Sequence, residues 1–340
     1  MTVTTRTRYF VIVSLLVLTI GMGTGLVAYY VGFPIGAAQG GPEELTLVPK
    51  DAVLVAYADV HAVMVSEVRQ RILQMLPAQG NGQQDFENQT GIKIDTDVDR
   101  VVACLAAAPS NGQPLPVSGM AIVRGRFNAT KIEALMREHG AKVDTYKGKR
   151  LLVADVTLGP AGANTNSVSL AFIDPGLVAV GTTDLIRAAV DLRGGGENVT
   201  SNDAIMNFVR TFAADNAWAV GQFDALAAQA KLPPAVAGQL PPITWFSVSG
   251  HVNNGISGLF QVDARDDESA NSLRDLVRGV VALAKLQTGA HPELRPMADS
   301  LQLGGTGKNI TLSFDVSTQM FDLLATTLKG LQGRAPTRGK

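Results

Sequence analysis

The stretch GGTGKN (304–309) contains the Gly-Lys pair of a phosphate-binding loop, in which amides at a helix start cradle phosphate and a following Ser or Thr holds the metal. Gln302 stands where that loop needs its first glycine, Asn309 follows the lysine, and ITLSFDV continues as a strand, so the stretch reads as a hairpin turn. Asp95, Asp97 and Asp99 have the opening spacing of a calcium loop, but Arg100 takes its glycine position and Ala106 the place of its bidentate glutamate. They read instead as a polar turn entering a strand. Asp266, Asp267 and Glu268 fall in the first turn of a helix, where negative charge offsets the helix dipole. His61, His139, His251 and His291 are too scattered to show a ligand spacing, and only convergence in the fold would make them a site. Ser249-Gly250-His251 lies within a strand, and no Gly-x-Ser-x-Gly elbow occurs. Cys104, the one cysteine, sits in VVACLAAA and reads as a buried, inert thiol. Asn88, Asn128, Asn198 and Asn309 open glycosylation sequons, but the Ala- and Gly-rich, cysteine-poor composition is that of a bacterial chain, where they carry no such meaning. This pattern calls for no catalytic group, cofactor or metal. The net charge of −1 leaves no electrostatic footprint for nucleic acid.

The elements that must position these residues occur in one order, twice. AVLVAYADV (52–60) reads as a strand running into a helix, followed by strands over 100–107 and 117–125. A helix then carries Ile132, Leu135, Met136 and His139 on one face, with Asn128 as its N-cap and Gly140 just past its end. A hairpin turning at Lys147-Gly148-Lys149, a second turn at Asp174-Pro175-Gly176 and a helix over 183–192 complete the first half. After Gly194-Gly195-Gly196, Ser201 or Asn202 caps a helix through Ile205, Phe208, Val209 and Phe212. AWAVGQF (217–223) then repeats the strand-into-helix step, and ITWFSVSGHV and GISGLFQVDA form a hairpin around Asn253-Asn254. A long helix with Leu273, Leu276, Val277, Val280 and Ala284 on one stripe, a hairpin over 299–316 and a last helix bearing Met320, Phe321, Leu324 and Leu328 follow. The expected fold is α+β, two related modules over 49–193 and 197–330, each an antiparallel sheet covered by helices on one face. GRAPTRGK, within the tail 331–340, has no apolar face and reads as disordered and basic.

Ahead of these modules, residues 9–31 run without a charge, and roughly twenty apolar residues suffice to cross a bilayer as a helix. Arg6 and Arg8 precede the run, while Glu43 and Glu44 follow it, so the positive-inside rule puts the tip 1–8 in the cytoplasm. The bulk of the chain is then periplasmic or extracellular, joined by a tether over 32–48 to a single-pass anchor in the cytoplasmic membrane. A cleaved signal peptide ending near Gly36-Ala37-Ala38 is the rival, but its apolar core is usually only ~7–15 residues long. Gly21 and Gly25 form a GxxxG pair that lets two membrane helices approach, although glycine is also common in such helices.

LVPKDAVLVAYADV, directly after the anchor, resembles the opening of uncharacterised bacterial membrane-anchored envelope proteins that begin with Leu-x-Pro-x-Asp-Ala and a strand. DVDRVVACLA, GRFNATKIEALMREHG and YKGKRLL extend the resemblance over much of the first half. The resemblance implies an exported α+β domain and brings no active site with it. The expected function is therefore that of a non-enzymatic envelope protein, a binding or scaffolding module whose partners are the membrane and envelope proteins or a second copy. A carrier of an apolar ligand such as lipid is the alternative, and an enzyme with a dispersed site a further one.

Overall fold

AVLVAYA and AWAVGQ are apolar at nearly every position, and strands of that kind need cover on both faces and neighbours on both edges. The computed structural model describes residues 42–75, 87–88, 90–106, 118–158, 164–212, 214–230, 241–252, 255–289 and 295–318. In it these two strands, β1 (Ala52–Ala58) and β8 (Ala217–Gln222), pair with each other, antiparallel, from Leu54 opposite Gly221 to Ala58 opposite Ala217. The expectation of two separate sheets is thereby corrected. One twelve-stranded sheet runs through the described body in the order β11-β12-β10-β9-β8-β1-β2-β3-β7-β6-β5-β4, with every pairing antiparallel. The physical reason is edge protection: either half alone would expose its most apolar strand to water, and joining them buries both.

The remaining strands of the first half are β2 (Val98–Ala106), β3 (Ser118–Gly125), β4 (Lys142–Tyr146), β5 (Lys149–Leu158), β6 (Asn164–Asp174) and β7 (Leu177–Thr182). The second half adds β9 (Ile243–Val252), β10 (Gly255–Ala264), β11 (Gln302–Gly304) and β12 (Asn309–Ser317). From the centre outward, β1-β2-β3-β7-β6 is answered by β8-β9-β10-β12-β11, and β5 and β4 extend the first half alone. The outer strands are blunt: β11 is three residues long, and β4 carries Lys142 and Asp144 in an exposed strand.

Helices lie on both faces, which corrects the expected single covered face. Alternation along the paired strands puts Val55, Tyr57, Val102, Cys104, Met120, Ile122, Ala179, Trp218 and Val220 on one face, here called the front. They form the main core with a 3-10 turn at Glu43–Leu47, α5 (Thr183–Arg193), a second such turn at Val199–Ser201 and α6 (Asp203–Thr211). Tyr57 and Trp218, opposite each other across the central pair, stack with ring centroids 5.7 Å apart. The back is covered by α1 (Val60–Val65) with α2 (Glu67–Met75) and α3 (Ile94–Asp97), by α4 (Ala129–Glu138) on β5, and by α7 (Phe223–Ala230). The first turns of α8 (Asp267–Gln287) continue this layer, and α9 (Arg295–Ser300) packs beside β12.

Local signals account for the helix boundaries. Asn128, Asn202 and Asp266 each accept a bond from the backbone N–H three residues on, capping α4, α6 and α8. Lys147 and Gly148 both take positive φ, 47° and 78°, as a two-residue hairpin turn requires.

The tip 1–8, the span expected over 9–31, the helix expected from Met320 and the tail 331–340 lie outside the described residues. Among the described residues no helix is long and apolar enough to cross a membrane. Residues 43–48, expected in the tether, pack into the core: Leu45, Leu47 and Val48 are buried beneath α5 and the Val199–Ser201 turn.

Candidate functional site

Three places on the described body hold side chains that local structure does not fully explain. One is a charged fastening at the N-terminal entry. Glu44, in the Glu43–Leu47 turn, is fully buried on the front face, and Arg100 of β2 and Arg124 of β3 converge on it. Arg100 Nε lies 3.3 Å from Glu44 Oε1. Arg124 Nε bonds the same oxygen, and its Nη2 bonds Glu43. Burial opposes the Arg124 charge, but the two carboxylates outweigh it and hold its pKa above the ordinary range. Glu44 Oε2 has no hydrogen-bond partner.

Next to this pair the β1 end carries Tyr57 and Asp59. Burial pushes the Tyr57 hydroxyl well above its usual range, and the Asp59 charge adds to that. Burial pushes the Asp59 carboxyl up to about 6, against the attraction of Arg100 and His61. The Asp59 N–H donates to the Asn216 carbonyl at 3.1 Å, and Asn216 Oδ1 accepts from Val252 N–H at 2.5 Å, tying β1, β8 and β9 at one end. The cluster contains a titrating acid but no nucleophile held against a base, and its geometry is that of a clasp on the incoming chain.

A second place is a concavity of about 300 Å³ over the front of the second half. Asp215, from the loop after α6, Ser257 of β10, Ser313 and Asp315 of β12, Gln302 of β11 and Ser300 of α9 line it around Leu259. Among the described residues, Asp215, Ser257, Gln302, Ser313 and Asp315 make no side-chain hydrogen bond or ion pair, and only Ser300 is engaged, with the Met297 carbonyl at 2.8 Å.

The third is the outer part of α8. Only Ser269, Ala270 and Leu273, in its first two turns, are buried. Leu276, Val280, Leu283 and Leu286 are exposed by 49, 58, 54 and 76%, and they recur at spacings of four, three and three on one helical face. Gly279 lies among them with open space where a side chain would begin.

The residues tested in the sequence fall elsewhere. Gly21 and Gly25 lie outside the described residues, as does His291. His61, His139 and His251 gather into no metal cluster among the described residues. His139 Nδ1 instead lies 2.9 Å from the Leu135 carbonyl, at the end of α4. GGTGKN is the turn between β11 and β12, with Gly305 and Gly307 at positive φ. Asp97 accepts from Lys93 N–H and Thr96 Oγ1, closing its own turn. Cys104 is 1% exposed in the core, and burial pushes its thiol up to about 12. Ser249 is buried within β9.

Sequence reading passed over the concavity and took Leu276 and Val280 for part of a stripe covered by the sheet, although the concavity and the bare part of α8 both leave a signal. In NITLSFDVS, Thr311, Ser313 and Asp315 alternate with Ile310, Leu312, Phe314 and Val316, which marks one solvated strand face. In α8 the aliphatic arc is wider than one sheet contact needs, and a glycine interrupts it. No protein-family model and no curated protein matches the chain. A solved structure, crystal form I of TP0453, is similar over 85% of this chain and 99% of its own, at 7% identity and a TM-score of 0.47, a likeness that carries no inference here.

Proposed function

We propose that this chain is a non-enzymatic, membrane-anchored protein of the bacterial envelope that acts as a scaffold by pairing with a second copy of itself through α8. The observation that carries this reading is the bare row Leu276, Val280, Leu283 and Leu286, with Gly279 open among them. Exposed aliphatic side chains contiguous along one helix mark an interaction surface. A glycine inside an exposed helix costs about 1 kcal/mol against alanine, and nothing among the described residues uses the space it leaves. A second helix approaching closely would use it.

The row is self-complementary. In an antiparallel pair centred between Gly279 and Val280, Leu276 faces Leu283 of the second copy, and each Val280 enters the gap above the other Gly279. Four side chains a copy make a small surface beside the roughly 800 Å² per partner of a standard interface. Confinement to one membrane through residues 9–31 raises the effective concentration enough for such a surface to count. The Glu44 clasp and the buried Leu45, Leu47 and Val48 support the same reading, since they fix the body firmly to the segment that follows the expected anchor. The resemblance of the first half to membrane-anchored envelope proteins points the same way.

The test is self-association of the full chain in lipid nanodiscs or detergent, measured by cysteine crosslinking at position 280 and by light scattering. Leu283→Asp is expected to abolish the crosslink while leaving the melting temperature in place. A full chain that stays monomeric, or a Leu283→Asp variant that crosslinks as well as the parent, removes the reading.

A further inference from the structure

We infer that the front concavity of the second half binds a neutral, hydroxyl-rich ligand, a segment of a glycan chain. The inference does not rest on self-association, because the concavity is on the front of the sheet and α8 on the back.

Its polar side chains are of the right kind, and all but Ser300 lack a side-chain partner among the described residues. Ser257, Ser313 and Ser300 supply hydroxyls that donate and accept, Gln302 an amide that does both, and Asp215 and Asp315 carboxylates able to accept from two neighbouring hydroxyls. Five of these six have no side-chain partner among the described residues, although Asp215, Ser257 and Ser313 are half-buried. Half-buried polar groups facing a concavity make their hydrogen bonds to whatever fills it, and an alternation of donors and acceptors fits a ligand that is itself both.

Charge narrows the class. No lysine or arginine lines the site, and two carboxylates do, so a phosphate or carboxylate ligand would meet repulsion without a counter-charge. The two carboxylates belong to no metal-binding cluster among the described residues. Leu259 and Phe314 are the large apolar residues of the lining, too few to hold an acyl chain, and an apolar floor of that size suits the C–H face of a sugar ring. A volume of about 300 Å³ is at the lower end of ligand sites, so one or two rings of a longer chain would be held.

The sheet itself argues for function here. The matching stretch of the first half, β3-β7-β6, is mainly apolar on the front, with Arg124 and Ser169 as its polar members, and α5 lies over it, whereas here most of the corresponding positions, around Leu259, are serine, threonine, glutamine and aspartate. Among the described residues, polar side chains at these positions line the concavity in place of a covering helix such as α5.

The experiment is titration of the full chain in nanodiscs, by calorimetry and by ligand-observed NMR. The probes are the tetramers of N-acetylglucosamine and of glucose, with inorganic phosphate and spermidine as the anionic and cationic comparisons. Saturable binding of a neutral tetramer is expected, with Ser313→Val and Asp315→Ala each weakening it about fivefold or more at unchanged melting temperature. Phosphate is expected not to bind. The inference is overturned if neither tetramer binds, if spermidine alone binds, or if both variants bind the tetramers as well as the parent. Leu283→Asp is expected to leave the titration unchanged, which separates failure here from failure of the scaffold reading.

Discussion

On the front of the sheet, β3-β7-β6 and β10-β12-β11 hold matching places in the strand order, counted outward from the central pair. The first presents Met120, Ile122, Ala179 and Ala171, and α5 lies on it with Leu185, Ile186, Ala189 and Val190 buried. The second presents Ser257, Leu259, Gln261, Thr311, Ser313 and Asp315 and is open at the concavity. The backbone pairing is alike in both, so the difference is made by every second residue on the strands. An antiparallel sheet tolerates water on one face, and changing that alternate set turns a sealed layer into an exposed one without touching the hydrogen-bonded ladder. Among the described residues, the first half is sealed on this face and the second half is polar.

The comparison breaks most readily at its two central side chains. Ile122→Ala empties a fully buried position beneath the front helices and is expected to cost about 3 kcal/mol. Leu259→Ala, on the matching strand of the open side, is expected to cost about 1 kcal/mol or less, because the side chain is only partly buried. Urea midpoints of the two variants measure the difference, and equal losses would show that the open side carries as much of the core as the sealed one.

The clasp at Glu44 belongs to the sealed half and comes next in size. Arg124→Ala leaves a buried carboxylate with Arg100 as its remaining partner, at 3.3 Å. Removing one member of a buried pair costs ~3–5 kcal/mol in full burial, and about 2 kcal/mol is expected here because both arginines reach solvent. Limited proteolysis ahead of Leu45 should accelerate in the variant. Unchanged cleavage would mean that Leu45, Leu47 and Val48 hold the entry segment without help from the charges.

Asp59 sharpens the same boundary through pH. Its carboxyl titrates at about 6 in the fold and at 3.8 in the unfolded chain, so the folded state holds the proton more tightly. Stability contributed by the protonated form is complete below about pH 4, falls as pH rises toward 6, and is lost above that. Asp59→Asn should therefore stabilise at pH 7 by about 1 kcal/mol, a figure reduced for a half-exposed group, and by little at pH 4. Melting temperatures of parent and variant at the two pH values give the answer. A gain equal at both would place the cause in the Asn side chain and not in the proton.

Much of the local structure is legible in the residues. Asn128, Asn202 and Asp266 mark helix starts because a side-chain oxygen can meet an N–H three residues on, which is information carried within one turn. Lys147-Gly148 marks a hairpin for the same local reason. The pairing of β1 with β8 joins residues some 160 positions apart, from Ala56 opposite Ala219, and no turn chemistry records it. What the sequence does contain is the demand for it, in two strands too apolar to be edges. The Glu44 clasp is illegible for a like reason: Arg100 and Arg124 are ordinary surface residues until the strands stand side by side over the incoming turn. The concavity lies between, since the alternation in NITLSFDVS shows a wet face but not that β10, β11 and the loop at Asp215 curve around it.

The smallest expected effect has two signs, and so it separates packing from pairing. Gly279 sits inside α8 with nothing among the described residues, its own stretch of helix backbone aside, within 4 Å of where its Cβ would be. Gly279→Ala should stabilise the monomer by about 0.5–1 kcal/mol, because alanine gives up less backbone freedom on entering the helix. If α8 pairs with a second copy across Gly279, the same methyl group fills the gap meant for Val280 and weakens the crosslink at position 280. A more stable but less associated protein is expected, read by melting of dilute monomer and by crosslinking at higher concentration. Stabilisation with no loss of association would mean that the helices, if they meet, do so away from Gly279, and the exposed row would then have to be read by its leucines alone.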